Sequence, residues 1–328
     1  RGLGDVYKRQ EISVVMSVYN ERPEQVRQSV EAILGQTYLP TEFIIVLDNP
    51  NQNDLKALLQ TYDQQNDIIK LVFNRENIGL AASLNKAIKL ANGELIARMD
   101  ADDISEPKRL ELELRELKRR SLDLVSGNIV YIDESGSVTG KKSAIPEDER
   151  LIAKLLPYGS TIIHPTVLMR KSAIDQVGGY RLLPTAEDYD LWLRMIASGL
   201  KIGSINVQVL KYRLRDNSMT SNAWKTYVVS RYIQKLYAKR VHTGDDAFKS
   251  DDPDLFAKIN NEGMRQKFNR GQQYFTLAMQ NTRQKKVGKG LHQLVKAMVT
   301  SKDNFYFVMN YLRFRLVWAV NRGRYHHV

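Results

Sequence analysis

The stretch GELIARMDADDISEPKRL, residues 93–110, decides how this chain is read. A short apolar run, ELIARMD, closes in three carboxylates within four positions: Asp100, Asp102 and Asp103. The run has the length and composition of a buried strand, and the polar close marks its end. Like charges so close together raise one another's pKa and cost stability. Something in the folded protein must answer them.

Working outward, the flanking sequence alternates strands and helices. EISVVMSVYN (11–20) reads as a buried strand with polar residues at its end. In the next segment Val26, Val30, Ile33 and Leu34 fall at helical spacing, with Pro23 near the first turn. FIIVLDN (43–49) is a second strand, 53–65 a helix, KLVFN (70–74) a third strand, and GLAASLNKAIKLANG (79–93) a helix stopped by Gly93. ELIARMD then follows as the fourth strand. Such alternation predicts a parallel sheet covered by helices on both faces, with ligands at the carboxyl ends of the strands. Tyr19, Asp48 and Asp100 all fall there.

Past Pro107 an amphipathic helix runs to about residue 120, with Glu111–Arg115 and Glu116–Arg120 as i,i+4 pairs. LVSGNIVYIDESGSVTG (124–140) alternates like a half-buried strand entering a Gly/Ser turn. HPTVLMRKSAIDQVGGY (164–180) reads as strand, helix and glycine stop, and TAEDYDLWLRMIASG (185–199) as a helix ended by Gly199. From about Ser218 the sequence becomes basic and mainly helical, interrupted by GDDAFKSDDPD (244–254) and by the GKG of 288–290. No internal repeat is visible.

The chain has 328 residues, 43% apolar and 26% charged, ordinary values for a globular protein with a substantial core. Without cysteine there is no disulfide scaffold and no thiolate zinc site, which fits a reducing cytoplasm. The net charge of +12 is unevenly placed. Residues 201–328 hold 24 Lys/Arg and 8 Asp/Glu, whereas residues 1–200 hold 25 and 29. A basic appendage on a mildly acidic body implies an anionic partner. No apolar run reaches the length of a spanning helix. Residues 1–10, RGLGDVYKRQ, are no signal peptide; DVYKRQ resembles a translated transposon adapter, so the segment is set aside as an assembly artefact and the true start is expected elsewhere.

The acidic cluster has two readings. Asp at a strand-to-helix junction is a common cap, and Asp103 or Ser105 would serve the helix that Pro107 opens. Three carboxylates together point further. A hard divalent cation, Mg²⁺ or Mn²⁺, removes their repulsion and shares such ligands with substrate phosphates. AEDYDLWLR likewise has a plain reading: Thr185 and Asp188 form a capping box, and Leu191, Trp192 and Met195 make the core face of the helix.

The ordered set ISVVMSVYNE, FIIVLDN, ENIGLAASLNKAI, GELIARMDADD and AEDYDLWLR closely resembles family 2 of the inverting glycosyltransferases. Among these the chain is similar to the bacterial enzymes of capsular and O-antigen polysaccharide assembly. The resemblance covers residues 11–222. It implies an α/β fold of the GT-A (nucleotide-diphospho-sugar transferase) type, a mostly parallel central sheet flanked by helices, over 11–217. A basic, mainly helical extension, 218–328, follows.

Carried over position by position, the resemblance implies that Ser17, Val18 and Tyr19 wrap the nucleotide base, with Glu21 on the ribose. Asp48 pairs with the base edge, although DNPN stands where the family has DDGS. Asn77 and Gly79 open the next helix at the nucleotide. Asp102 binds the metal bridging the diphosphate, and Asp100 lies near the ribose or a metal-bound water, as a second residue of the metal site. Asp188 is the catalytic base, Glu187 beside it orients the acceptor, and Trp192 and His164 line the acceptor side. Arg215, in YRLRDNSMT, stands where relatives often have a histidine; arginine binds phosphate well and metal poorly.

The implied reaction is inverting, metal-dependent and non-processive transfer of a sugar from a nucleoside diphosphate sugar. Uridine is the base by resemblance, with thymidine left open, and a glycan or lipid-linked oligosaccharide is the acceptor. No QxxRW of the processive synthases is present. NFYFVMNYLRFRLVWAVNRGR (304–324) reads either as a packing helix with snorkelling arginines or as an interfacial helix on an anionic membrane. The latter places a cytoplasmic protein peripherally at the inner face of the cell membrane. Two alternatives remain: a pyrophosphorylase-like nucleotidyltransferase, which would want a Gly-rich loop where SVYNERPEQ stands, and a polyanion-binding protein acting through the tail. The tail has no recognisable nucleic-acid reading motif, so no nucleic acid is expected.

Overall fold

A computed structural model describes residues 11–214 and 222–322. In chain order the elements are β1 (Ile12–Val18), α1 (Pro23–Leu34), β2 (Glu42–Leu47), α2 (Asn53–Gln65), β3 (Ile69–Phe73), α3 (Leu80–Leu90), β4 (Leu95–Asp100), β5 (Ile104–Ser105), α4 (Arg109–Arg119), β6 (Leu124–Ile132) and β7 (Val138–Lys142). There follow α5 (Glu149–Leu155), β8 (Leu168–Arg170), α6 (Lys171–Gln176), α7 (Glu187–Ala197), β9 (Ile202–Arg213), α8 (Ala223–Thr243), α9 (Pro253–Ile259), α10 (Glu262–Arg283), α11 (Val287–Thr300) and α12 (Lys302–Arg322). They divide into two compact units. The first runs to Glu149 and takes in Ile162–Leu182 and the segment from Ser198 through β9; the second comprises Arg150–Thr161, Leu183–Ala197 and α8 to α12. The helical part therefore claims two segments from inside the span expected to be one domain.

The first unit is built on a sheet ordered β3-β2-β1-β4-β8-β6-β9-β5, with β7 hairpinned onto β6. β1 to β4 are parallel; β1, β2 and β4 are buried on both faces, which explains their apolar runs, while the edge strand β3 keeps Lys70 and Phe73 exposed. Burying each of these side chains contributes about 1.5–3 kcal/mol. Beyond β4 the sheet is mixed rather than mostly parallel: β8 runs against β4 and β6, β5 runs against β9, and only β6–β9 is parallel again. In register, Val18 faces Leu47, Ser17 faces Asp100, and Leu47 faces Phe73. The carboxyl ends of four strands thus lie in one row.

At the opposite end Glu42 ties the strands together. Its buried carboxylate accepts from Ser13 Oγ (2.5 Å), the Asn92 N–H (2.5 Å) and Lys70 Nζ. Gly93 completes this corner, because a Cβ there would lie 2.5 Å from Ser13 Oγ. On α4 the charge pairing differs from the i,i+4 expectation. Glu111 accepts from Thr37 Oγ1 (2.8 Å), Glu116 pairs with Arg119 (2.8 Å), and Arg120, beyond the last turn, reaches Glu149 (2.6 Å). The completely buried pair is Arg109–Glu113, and burial pushes the Glu113 carboxyl up to about 7.

In the second unit an aromatic core joins Trp224, Tyr227, Phe268, Phe275 and Phe307 across α8, α10 and α12. The tail helix α12 packs on one side and leaves another exposed. Val308 and Asn304 are fully buried and Asn310 bonds to the Tyr158 carbonyl, while Leu312, Leu316 and Val320 stay exposed.

Candidate active site

Along the row of strand ends, Ser17 is half-buried, Val18 is core and Tyr19 is exposed. The buried Val18 side chain cannot face a base, and its carbonyl already accepts the Asp48 N–H at 2.7 Å. Glu21 turns back to accept the Tyr19 N–H at 2.7 Å, which shapes the loop after β1. The DNPN departure has its own structure. Asn49 Nδ2 donates to Asn20 Oδ1 (2.6 Å), Gln52 donates to the same oxygen (2.9 Å), and Asn49 Oδ1 accepts the Asn51 N–H (3.0 Å). An Asx turn bridged to the loop after β1 stands in for the DDGS turn.

Asp48 is 2% exposed and is an organiser of this corner rather than a base-edge reader. Oδ1 accepts from Asn74 Nδ2 (2.8 Å) and the Ile78 N–H (2.9 Å), and Oδ2 from the Gly79 N–H (2.8 Å). Those three donors occupy most of its lone pairs. Asn77 adds Oδ1 to the Gly79 N–H at 3.0 Å. Gly79, at φ 84° and ψ 164°, is the residue before α3, a conformation open essentially to glycine that costs other residues on the order of 1–3 kcal/mol. Asn74 also holds Ser83 Oγ (3.0 Å) and takes Lys86 Nζ (2.7 Å), joining α3 to the same network.

The acidic cluster is answered largely by the protein itself. Residues two apart on a strand share a face, so Arg98 and Asp100 of β4 meet in a two-pronged ion pair, Nη1 to Oδ2 at 2.6 Å and Nη2 to Oδ1. Asp103 caps no helix, since β5 intervenes before α4. Its Oδ1 accepts the Arg213 N–H (2.9 Å), its carbonyl takes Ser29 Oγ (2.6 Å), and its buried Oδ2 has no partner among the described residues. Burial, then the charges of Asp100 and Asp102, push this carboxyl well above the usual range, which favours its neutral form. Asp102 is half-buried, and its carbonyl accepts Arg213 Nε at 2.8 Å.

Arg213 escaped the sequence reading. Beyond these contacts it donates to the carbonyls of Asp133 (3.1 Å) and Glu134 (2.9 Å) and to Gln28 Oε1 (2.8 Å), clamping the acidic loop to α1 and to the β6–β7 turn. Arg98 was missed too, although its position two residues before Asp100 in a strand was a readable signal. Arg215 lies outside the described residues.

His164 does not present a cation to acceptor or phosphate. It is buried, shares a 2.7 Å hydrogen bond between Nε2 and the Tyr180 hydroxyl, and is held well below its ordinary pKa by burial and by the Arg98 charge. Tyr180 is pinned through its main chain to Asn85, at 2.9 and 2.7 Å.

In the second unit, α7 starts at Glu187 after Ala186, whose φ of 59° is strained for a non-glycine residue. Thr185 is therefore not adjacent to the helix as a capping box requires. Glu187 is buried and Asp188 half-buried in the first turn, where carboxylates complement the helix dipole. Tyr189 donates to the Leu156 carbonyl at 2.6 Å, and Asp190 forms a buried pair with Arg194 at 2.8 Å. Trp192 is 0% exposed, so its ring is core and not an acceptor surface.

For a divalent cation the donor set fits in part. Asp100 and Asp102 offer hard carboxylate oxygens at a strand end, but no group of three metal-ligating side chains forms among the described residues. One or two carboxylates with the balance from substrate phosphates is the usual provision for Mg²⁺. Asp100 is less suited, because a guanidinium already faces both its oxygens.

Residues 13–178 match the family described as Glycosyl transferase family 2. The chain is 36% identical over 233 residues to an uncharacterized glycosyltransferase of Methanocaldococcus jannaschii, covering 70% of this chain and 79% of that one. It is 30% identical over 231 residues to the O-antigen biosynthesis glycosyltransferase WbnJ of Escherichia coli, covering 70% and 89%. Among solved structures it is similar to residues 1–349 of S. aureus TarS in complex with UDP-GlcNAc, with a TM-score of 0.56 and 16% identity over 96% of this chain and 89% of that chain. That likeness shows the GT-A fold.

Proposed function

Since the chain belongs to glycosyl transferase family 2, we propose that it moves one sugar from a nucleoside diphosphate donor, a UDP-sugar, to a hydroxyl of a glycan or lipid-linked acceptor, with inversion, in bacterial surface polysaccharide synthesis. The reading rests above all on the row of strand ends in the first unit. There an exposed Tyr19, the loop organised by Asp48 and the half-buried Asp100 and Asp102 share one edge of the sheet. The O-antigen name of one relative and the UDP-GlcNAc bound to the structural neighbour support the substrate class.

In this reading Tyr19 stacks on the base, Ser17 and Glu21 shape the ribose side, and Asp48 holds the Ile78 and Gly79 N–H groups in place. Asp102 holds Mg²⁺ or Mn²⁺, which when bound stabilises the negative charge gathering on the departing diphosphate. Asp100, fixed by Arg98, faces the ribose or a water of that ion. Asp188 accepts the proton of the acceptor hydroxyl as that oxygen bonds to the anomeric carbon and the carbon–oxygen bond to the diphosphate breaks. Such a base contributes ~10²–10⁴-fold. Glu187 orients the acceptor from within the same turn. The enzyme works at the inner face of the cell membrane, where lipid-linked acceptors are presented.

The test is a screen of nucleotide sugars with Mn²⁺, followed by NMR of the product's anomeric configuration. An α-linked donor should yield a β-glycoside. A retained configuration, or turnover by nucleotidyl transfer to a sugar phosphate, would overturn the reading.

A further inference from the structure

From residue 263 to residue 328 the sequence carries 13 Lys/Arg and one acidic residue, Asp303. That acid is buried and takes Lys258 Nζ (2.6 Å) and the Tyr227 hydroxyl (3.1 Å). Within this cationic stretch α11 turns four aliphatic side chains outward: Val287, Leu291, Val295 and Val299 are 68%, 62%, 50% and 77% exposed. Their four-residue spacing lays them in a single ridge along the helix. The opposite side is the packed one. Gly290 and Ala297 are buried, and a Cβ at Gly290 would lie 2.7 Å from Thr282 Oγ1 of α10. Lys289 and Lys296 are exposed on the border of the ridge, and Lys296 Nζ sits 5.9 Å over the Tyr274 ring.

A continuous apolar ridge left in water marks a binding surface. Its chemistry selects the occupant. A second copy would set this acid-free cationic surface against itself. Nucleic acid would satisfy the lysines and leave four branched aliphatic groups without a partner. An anionic bilayer answers both, with acyl chains for the ridge and headgroups for the lysines. We propose that α11 is a docking helix for an anionic lipid surface, lying in its plane with the Val287–Leu291–Val295–Val299 ridge inward. The assignment deepens the membrane location proposed above but rests on α11 and its charges, independently of the donor site.

The test uses the full chain with phosphatidylcholine vesicles containing or lacking phosphatidylglycerol, read by co-sedimentation at several salt concentrations. Wild type should pellet with the anionic vesicles alone, and less as salt rises. Leu291→Gln with Val295→Gln should lower the partition coefficient on the order of tenfold. Lys289→Gln with Lys296→Gln should do so to a similar extent. Thermal melting and UDP-sugar hydrolysis in free solution should be unchanged in both pairs, which separates this outcome from a failure of the donor reading. The proposal fails if wild type stays in the supernatant, if neutral vesicles bind it equally, or if either pair binds like wild type. It also fails if the lipid-free chain is a dimer that the ridge variant renders monomeric, since a second copy would then be the occupant.

Discussion

The main-chain N–H of Arg213 donates to Asp103 Oδ1 at 2.9 Å across 110 positions of sequence. The same residue's guanidinium holds the Asp102 carbonyl at 2.8 Å. The acidic loop is thus set by the end of β9 as much as by the strand that leads into it. Asp103 anchors it from within, and the Asp102 side chain is left at the half-buried edge.

Arg213→Met keeps most of the volume and removes the clamp. It should destabilise the protein by about 1–3 kcal/mol in urea denaturation, because four acceptors lose their donor in part-buried surroundings. UDP-sugar affinity should fall with it. An unchanged unfolding midpoint would show that the loop holds itself.

Asp102 and Asp188 should separate in kinetics. Asp102→Asn is expected to weaken Mn²⁺-dependent donor binding. Asp188→Asn should keep donor affinity and lose transfer by ~10²–10⁴-fold. Calorimetry with UDP and a transfer assay read the two effects apart. Normal turnover in both variants would remove these roles.

Asp48→Ala deprives the Ile78 and Gly79 N–H groups and Asn74 of their acceptor. The cost should be about 1–3 kcal/mol, with a matching loss of UDP affinity. Asp48→Asn should be milder, because its amide oxygen still accepts. If only base selectivity changed and stability did not, Asp48 would be a base reader after all.

Glu42 carries the acid-side stability. Burial alone would raise its carboxyl, but Lys70, Ser13 and the Asn92 N–H together hold it down at about 2. An acid with a depressed folded pKa adds stability that is fully present above its unfolded value and lost as pH falls through the folded one. Wild type should therefore lose about 2 kcal/mol between roughly pH 4.5 and pH 2 that Glu42→Gln does not lose. Urea midpoints measured across that window decide the matter; parallel curves would remove Glu42 from the account.

The buried, neutral His164 should not titrate near neutrality. In an NMR titration from about pH 6 to 8 its ring resonance should stay still while exposed histidines move. A full protonation step there would mean that the ring meets solvent or a carboxylate.

Much of the fold was legible because it is written in local periodicity. The helix expected at 53–65 is α2, and the strands expected around Val15, Ile45, Leu71 and Met99 are β1 to β4. The expectation that Tyr19, Asp48 and Asp100 fall at strand ends holds as well. Strand direction past β4 was not legible, since Leu168–Arg170 pairs antiparallel to β4 through contacts about 70 residues away in sequence. Nor was β9, for which no strand was predicted.

By itself the sequence determined which segments hide from water, where the strands end and which carboxylates gather there, because burial pattern and spacing are properties of neighbours along the chain. Only the tertiary structure decided what the carboxylates other than Asp100 meet: the Arg213 N–H for Asp103, and two loop N–H groups for Asp48. A hydrogen bond or a desolvated charge depends on what sheet order brings within 3 Å. For the partners of Asp103 and Asp48 that order is set by contacts far apart in the chain, which no local pattern encodes.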